Sequence, residues 1–160
     1  MALANLTEYL DGHNVAYVVI SHSPAFTAQG IAGLVHISGK ELAKTVIVKL
    51  DGKLVMAVLP AKFHVDLEAL QRAANAKAAQ LASEEEFAGG FPGCETGAMP
   101  PFGNLFGLDV LADDSLEADK EIAFNAGTHR ELIRMAWADY IRLVEPKVTR
   151  FAAGRSAKAA

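Results

Sequence analysis

The apolar residues near the N-terminus of the chain recur three or four positions apart and are followed by a glycine. This spacing places them on one face of an α-helix, and the glycine is typical of a helix end. We therefore predict an amphipathic helix formed by Leu3, Leu6, Tyr9 and Leu10 and ended by Gly12. A β-branched stretch over residues 15–20 predicts a strand. After it, Thr27 is positioned to cap a second short helix that extends through Val35.

The clearest pattern is a pair of β-rich segments on either side of Asp51-Gly52. Asp-Gly is a preferred two-residue hairpin turn, because both of its residues can adopt positive φ. The turn fixes the register of the two strands and predicts that Lys44 opposes Leu59. Side chains alternate between the faces of a strand, so Lys44 shares a face with apolar neighbours. These neighbours are Val46, Val48 and Leu50.

Shorter signals predict the next elements. Asp66 is positioned to cap a helix, and Ser83 with Glu86 matches a capping box. Short strands are predicted over residues 78–82 and 107–112. Two acidic runs are interpreted as solvated faces, over residues 83–86 and 113–121.

Residues 121–135 allow two interpretations. Thr128 and Glu131 match a capping box, whereas apolar residues alternate on both sides of an Asn-Ala-Gly turn signal. The alternation favours a hairpin. A helical stripe follows, made by Trp137, Tyr140, Ile141 and Val144 and ended by Pro146. Hairpins interleaved with short helices predict an α+β domain with a mixed, mainly antiparallel β-sheet flanked by short helices.

Composition narrows the class of protein. The chain has 160 residues, of which 51% are hydrophobic, and this suits a single domain. We assign residues 1–152 to the domain and residues 153–160 to a flexible tail. The net charge of −4 argues against a general nucleic-acid clamp, although a local basic site is compatible with it. The apolar stretches are too short to span a membrane, and no signal peptide is recognised, so we expect a cytoplasmic protein.

Two features raise the question of a binding site. A lysine on an apolar strand face, such as Lys44, can extend to solvent, pair with a carboxylate, or stand at the mouth of a pocket. The segment "GAMPPFGN" (residues 97–104) joins glycines and adjacent prolines to large apolar residues. It is either a structural corner or a backbone held rigid for a ligand, since fixed dipoles stabilise developing charge without reorganising.

Other candidate chemistry is sparse. His129 follows the predicted turn and suits a surface or hydrogen-bonded role better than a catalytic one. The single cysteine, Cys94, cannot form an internal disulfide and has no base near it in the sequence. The sequence contains no zinc signature, serine-nucleophile elbow or phosphate-binding glycine motif, and we predict neither a metal nor a cofactor.

Read together, these features resemble the YbaK/ProX family of aminoacyl-tRNA deacylases, relatives of the editing domain inserted in bacterial prolyl-tRNA synthetases. The resemblance covers residues 21–144 and rests on four segments in the same order. They are "HSPAFT", "ELAKTVIVK", "GAMPP", which fits a G-x-x-x-P loop, and "FNAGTH". The resemblance implies a YbaK-like fold and hydrolysis of the ester between a wrong amino acid and the 3′ end of a tRNA.

The resemblance also implies the site. Lys44 matches an essential lysine near the terminal adenosine and its phosphate, and residues 97–101 match the loop that positions the aminoacyl carbonyl. An activated ester needs only oriented water as its nucleophile. The residues expected to act directly are Lys44, Gly97, Ala98, Met99 and Pro101. Those expected to bind substrate are His22, Phe26, Thr45, Pro100, Phe102, Gly103, Asn125, Gly127 and His129.

The identity of the substrate is more open. Relatives remove alanine, serine, threonine or cysteine, and the resemblance favours tRNA(Pro) or a related tRNA. Thr45 follows the lysine here, where the alanine-specific branch tends to have asparagine. The expected partners are the aminoacyl-tRNA 3′ end and an aminoacyl-tRNA synthetase. Two alternatives are a noncatalytic module that binds a nucleotide or small ligand, and a hydrolase of another ester that uses Cys94 or His129.

Overall fold

The computed structural model describes residues 2–21, 42–91, 93–95 and 97–153. In this part of the chain lie four α-helices and ten strands. The helices are α1 (Ala2–Gly12), α2 (Leu67–Ala73), α3 (Glu84–Phe87) and α4 (Trp137–Val144). The strands are β1 (Tyr17–Ser21), β2 (Ala43–Leu50), β3 (Lys53–Pro60), β4 (His64–Val65), β5 (Ala79–Leu81), β6 (Val110–Asp113), β7 (Glu121–Asn125), β8 (Glu131–Ala136), β9 (Lys147–Thr149) and β10 (Ala152–Ala153).

The α+β class is confirmed, but the strands form three sheets where one was expected. The largest has the order β5-β2-β3-β6-β9, the second β1-β8-β7, and β10 pairs with β4. Pairing is antiparallel except between β3 and β6 and between β6 and β9. An isolated parallel bridge joins Leu42 to Ala123, so the beginning of β2 lies beside β7. Sequence patterns fix local hairpins, whereas the division into sheets depends on these long-range contacts.

The hairpin between β2 and β3 has the predicted register. Asp51 and Gly52 both have positive φ, +52° and +83°. Lys44 opposes Leu59, and Leu50 opposes Lys53. The turn therefore determines which side chains of β2 share a face.

Alternating side chains of this hairpin enter two cores on opposite faces of the sheet. Ile47 and Val58 belong to the main core, which is also built by side chains of α1 and α4. Val48 and Leu59 belong to a second core, covered by α2 and Phe151. Lys44 is opposite Leu59 and so lies on the face of the second core.

The caps predicted at Asp66 and Ser83 are present. Asp66 accepts a hydrogen bond from the Ala69 N–H at 3.1 Å and begins α2. At α3, the Ser83 N–H donates to Glu86 Oε1 at 2.8 Å, while the Glu86 N–H donates to Ser83 Oγ at 3.3 Å. Glu86 also accepts a hydrogen bond from Lys49, and this hydrogen bond is the main cause that lowers the pKa of Glu86 to about 2.

The hairpin β7–β8 is confirmed over the alternative helix.

Two interpretations need correction. Asp113, expected on a solvated acidic face, is fully buried and accepts from the N–H groups of Phe151 and Ala152, both at 2.9 Å. It satisfies two backbone donors of the C-terminal segment, and this explains its place in the core. The C-terminal tail was expected from residue 153 onward, and Ala153 pairs with His64 of β4, while residues 154–160 lie outside the described residues. The predicted helix from Thr27 through Val35 lies outside the described residues.

Candidate functional site

Lys44 stands near the beginning of β2, where the two larger sheets meet. Its side chain is half-buried, and burial lowers the pKa of its ammonium because desolvation disfavours the charged form. None of the described carboxylates pairs with Lys44. Of the three possibilities open from the sequence, pairing with a described carboxylate is therefore excluded.

The bridge between Leu42 and Ala123 relates Lys44 to Asn125. Lys44 lies two residues after Leu42 on β2, and Asn125 lies two residues after Ala123 on β7. Because side chains alternate along a strand, Lys44 points to the same side of its strand as Leu42, and Asn125 to the same side as Ala123. Asn125 has a buried Oδ1 atom with no hydrogen-bond partner. A buried acceptor without a partner is uncommon in folded proteins.

The proline loop (residues 97–101) is fastened to the histidine turn (residues 126–130). The Gly127 N–H donates to the Ala98 carbonyl at 2.9 Å, and the Glu95 N–H donates to the Gly127 carbonyl at 2.7 Å. Ala98 also donates its N–H to the Glu95 carbonyl at 3.0 Å. Both backbone groups of Ala98 are thus engaged, and they hold the loop in place.

Gly97 is where the proline loop reaches the surface beside His129. Gly97 is exposed, with a φ of +84°. A Cβ added to it would lie 3.5 Å from Cε1 and 3.8 Å from Nε2 of the exposed His129 ring. Within the described residues, the N–H groups of Gly97 and Met99 make no hydrogen bond. Of the two residues, Gly97 is exposed and Met99 is buried, so the Gly97 N–H is the one accessible to a ligand.

The rest of the loop is buried. Met99 is 5% exposed, and Phe102 is fully buried against Phe124 and Tyr140. The Tyr140 hydroxyl donates to the Pro101 carbonyl at 2.7 Å. These contacts place Met99, Pro100, Pro101 and Phe102 beneath the surface as its support.

Gly103 is likewise structural, although substrate binding was expected of it. A Cβ there would lie 2.5 Å from Val110 Cγ2 and 2.7 Å from the Leu108 carbonyl oxygen. The close approach explains the glycine without a ligand. Thr45 opposes Val58, so it faces the side of β2 opposite to Lys44. The predicted substrate-binding residues His22 and Phe26 lie outside the described residues.

Sequence reasoning missed Glu95. Its Oε1 accepts the His129 N–H at 2.6 Å, so its carboxylate lies directly beside the histidine turn. The contact joins residues 34 positions apart, and no local pattern signals it. Cys94, next to it, is half-buried, and burial raises the pKa of its thiol. Activated cysteines have lowered pKa values, so this placement disfavours a thiol nucleophile.

Other features lie apart from this region. A cavity of about 650 Å³ opens at the Asp51-Gly52 end of the hairpin, and none of the predicted site residues lines it. Among the described residues there is no cluster of three or more His, Cys, Asp or Glu that could hold a metal ion. No helix in the described part of the chain is long and apolar enough to cross a membrane.

Comparison with known proteins assigns the chain to a family. The model of the aminoacyl-tRNA editing domain matches residues 22–143, more than half of the chain. The chain belongs to the aminoacyl-tRNA editing family. The predicted YbaK-type resemblance and the predicted class of enzyme, an aminoacyl-tRNA deacylase, are confirmed at this level.

Relatives of this editing domain extend the comparison. The chain is 30% identical over 151 residues to the multifunctional Ser/Thr-tRNA deacylase ProXp-y of Escherichia coli K12, covering 91% of this chain and 90% of the relative. A crystal structure of a proposed trans-editing enzyme for prolyl tRNA synthetase matches with a TM-score of 0.81 and 20% identity over 96% of this chain and 98% of that one. A proposed signal transduction protein from Marinobacter aquaeolei matches with a TM-score of 0.73 and 18% identity, over 92% of this chain but 30% of that one. At such identities the structures establish the fold alone.

Proposed function

We propose that the protein deacylates mischarged aminoacyl-tRNA in trans, with seryl and threonyl esters as its preferred substrates. The observation that carries the proposal is the double hydrogen bond of Gly127 to Glu95 and Ala98, which fixes Gly97 beside His129. It builds a rigid, partly exposed backbone two residues after Asn125, and we place Lys44 at the same ligand site. Such preorganised donors suit an ester carbonyl that acquires negative charge.

The reaction requires little from the side chains. Water attacks the ester carbonyl carbon, the bond to the ribose oxygen breaks, and that oxygen leaves with a proton to restore the hydroxyl. The N–H group of Gly97 receives the developing oxyanion, while Lys44 anchors the phosphate of the terminal adenosine. An ammonium in a half-buried position binds a phosphate strongly, because competing water is reduced. No serine or cysteine nucleophile takes part.

The preference for serine and threonine rests on two observations. The E. coli relative, 30% identical, is named a Ser/Thr-tRNA deacylase. The buried Asn125 Oδ1 lacks a partner, and a substrate hydroxyl is one donor that would satisfy it. A site that hydrogen-bonds a hydroxyl rejects the analogue lacking it more strongly than a pocket rejects a missing methylene. Alanyl and cysteinyl esters are therefore expected to react more slowly.

The tRNA is held weakly and locally. The net charge of −4 does not favour contact with many phosphates. We infer that recognition is limited to the 3′ end and that a synthetase presents tRNA(Pro) or a related tRNA to the protein. A synthetase partner would raise the effective concentration of substrate without new contacts in the site.

A panel of mischarged tRNAs tests the proposal. Seryl-, threonyl-, alanyl- and cysteinyl-tRNA(Pro) are incubated with the protein, and the remaining ester is measured over time. We expect faster loss of seryl and threonyl esters than in buffer alone. Loss of none of the four, together with saturable binding of an amide-linked analogue, would favour a noncatalytic binding module.

A further inference from the structure

We propose that the carboxylate of Glu95 receives the α-ammonium group of the aminoacyl substrate and so makes the site selective for a free amino group. The inference rests on the proposed deacylase function and adds a specificity residue that neither the sequence motifs nor the family assignment identifies. It concerns the α-amino group, the one part of a seryl or threonyl ester that takes up a proton and a positive charge near neutral pH.

The position of the carboxylate carries the inference. Glu95 Oε1 accepts the His129 N–H at 2.6 Å, and the same residue binds Gly127 and Ala98 through its backbone. Three hydrogen bonds therefore fix Glu95 between the proline loop and the histidine turn. Gly97, whose N–H is assigned to the ester carbonyl, lies two residues away. The ammonium of an α-amino ester is close to its carbonyl, so both groups can be held at neighbouring points.

The charge of Glu95 is available to a ligand. Glu95 is exposed, and its Oε2 atom makes no hydrogen bond or ion pair with any described residue. Glu131, the carboxylate that follows the histidine turn, accepts the Thr128 hydroxyl at 2.8 Å. An exposed carboxylate beside a tRNA site repels phosphates, so its presence here calls for a compensating cation. The substrate ammonium supplies one.

Substitution separates the two roles of Glu95. Glu95→Gln keeps an oxygen that accepts the His129 N–H but removes the negative charge. Glu95→Ala removes both the acceptor and the charge, so it should also disturb the histidine turn. Glu117→Gln is the matched control, because Glu117 is an exposed acid in the turn after β6, outside the proposed site. It changes the net charge by the same amount.

The experiment measures binding of two stable probes to the 160-residue protein. Both carry serine in amide linkage at the 3′ position of 3′-amino-3′-deoxyadenosine; one has a free α-amine and the other is N-acetylated. For the unsubstituted protein we expect the free amine to bind at least about tenfold more tightly, as for a charge-assisted hydrogen bond. Glu95→Gln should reduce this ratio to within about threefold, while Glu117→Gln leaves it unchanged. The His129 amide resonance should stay near its original shift in Glu95→Gln.

The outcomes are distinct from those of the deacylation panel. A preference that persists in Glu95→Gln, or equal affinity of the unsubstituted protein for both probes, would overturn the role of Glu95. Absence of turnover on every mischarged tRNA would overturn the deacylase proposal, whereas the two probes would still decide the ammonium site. Because a merely structural role of Glu95 would weaken both probes equally, the ratio isolates the charge.

Discussion

The Gly127 N–H donates to the Ala98 carbonyl at 2.9 Å, and this hydrogen bond joins two loops that are far apart in the sequence. It fixes the exposed Gly97 against the His129 ring. The same turn follows β7, whose Asn125 lies on the strand beside the beginning of β2 and Lys44. The end of the β7–β8 hairpin therefore carries the unpaired Asn125 acceptor and holds the loop at Gly97. Its strand β7 lies beside the beginning of β2, which carries Lys44.

Replacing Gly97 should lower activity more than stability. Gly97→Ala places a Cβ in a residue with a φ of +84° and at 3.5 Å from the histidine ring. The backbone conformation costs about 1–2 kcal/mol of unfolding free energy. We expect kcat/KM for a seryl ester to fall by at least about tenfold, because small displacements of a reacting group are costly. Urea denaturation and single-turnover deacylation measure the two effects.

Gly107→Ala is the control for this change. Gly107 also has a positive φ, +73°, and a Cβ there meets nothing within 4 Å. It should share the loss of stability and retain the activity. Equal loss of activity in both variants would show that backbone strain, and not the place of Gly97 beside His129, is responsible.

Lys44→Ala should abolish most of the turnover while the protein remains folded. Its ammonium is assigned to the terminal phosphate, and no described carboxylate depends on it as a partner. We expect at least about a hundredfold loss of kcat/KM, as for a group that positions the reacting ester. Lys120→Ala, at an exposed position beside the far end of β7, controls for the loss of one positive charge. Unchanged turnover in Lys44→Ala would remove this lysine from the mechanism.

The lowered pKa of Lys44 predicts a pH dependence. Because burial lowers this pKa below the ordinary value of 10.5, the ammonium loses its proton at a lower pH than an exposed lysine does. Affinity for a phosphate-bearing analogue should therefore decline as the pH rises through the lowered pKa. The unfolded chain binds the proton more tightly, so the free energy of unfolding should rise with pH between the lowered value and 10.5.

Carbon-13 chemical shifts of the Lys44 side chain, followed through a pH titration, measure this directly. Lys44→Met should lose both pH effects and leave the remaining titration unchanged. A Lys44 midpoint at or above the ordinary lysine value of 10.5 would contradict the burial argument.

Tyr140→Phe should loosen the support beneath the proline loop. The variant removes a buried hydroxyl that donates to the Pro101 carbonyl at 2.7 Å and leaves that carbonyl without this donor. The expected loss of unfolding free energy is about 1–2 kcal/mol. Tyr17→Phe, which removes an exposed hydrogen bond to Asp11, should cost less than about 0.5 kcal/mol. Similar denaturation midpoints for the two variants would refute a special role of Tyr140.

Much of the local structure was predictable from the sequence. Asp51-Gly52 determines a hairpin register that the structure reproduces, and Ser83 with Glu86 forms the expected capping box. These signals act over a few residues, where steric and hydrogen-bonding rules are nearly sufficient.

Burial and long-range pairing were harder to predict. The sequence places Asp113 in an acidic run that was expected at the surface. It is buried, because the N–H groups of Phe151 and Ala152, 38 and 39 positions away, need an acceptor. Phe102 reads as a possible ligand contact, yet it packs against Phe124 and Tyr140. The role of Glu95 likewise depends on a distant backbone N–H. Such partners become visible only in the folded chain.

The account depends on Lys44 and the loop at Gly97 serving a single ligand site. The most direct test is a titration of the isotope-labelled protein with the amide-linked seryl-adenosine analogue bearing a 5′-phosphate, followed by amide and lysine side-chain resonances. We predict that Lys44, Gly97, Asn125 and His129 shift together, with one shared dissociation constant. Saturable shifts at Lys44 without any at Gly97 and His129 would contradict the account.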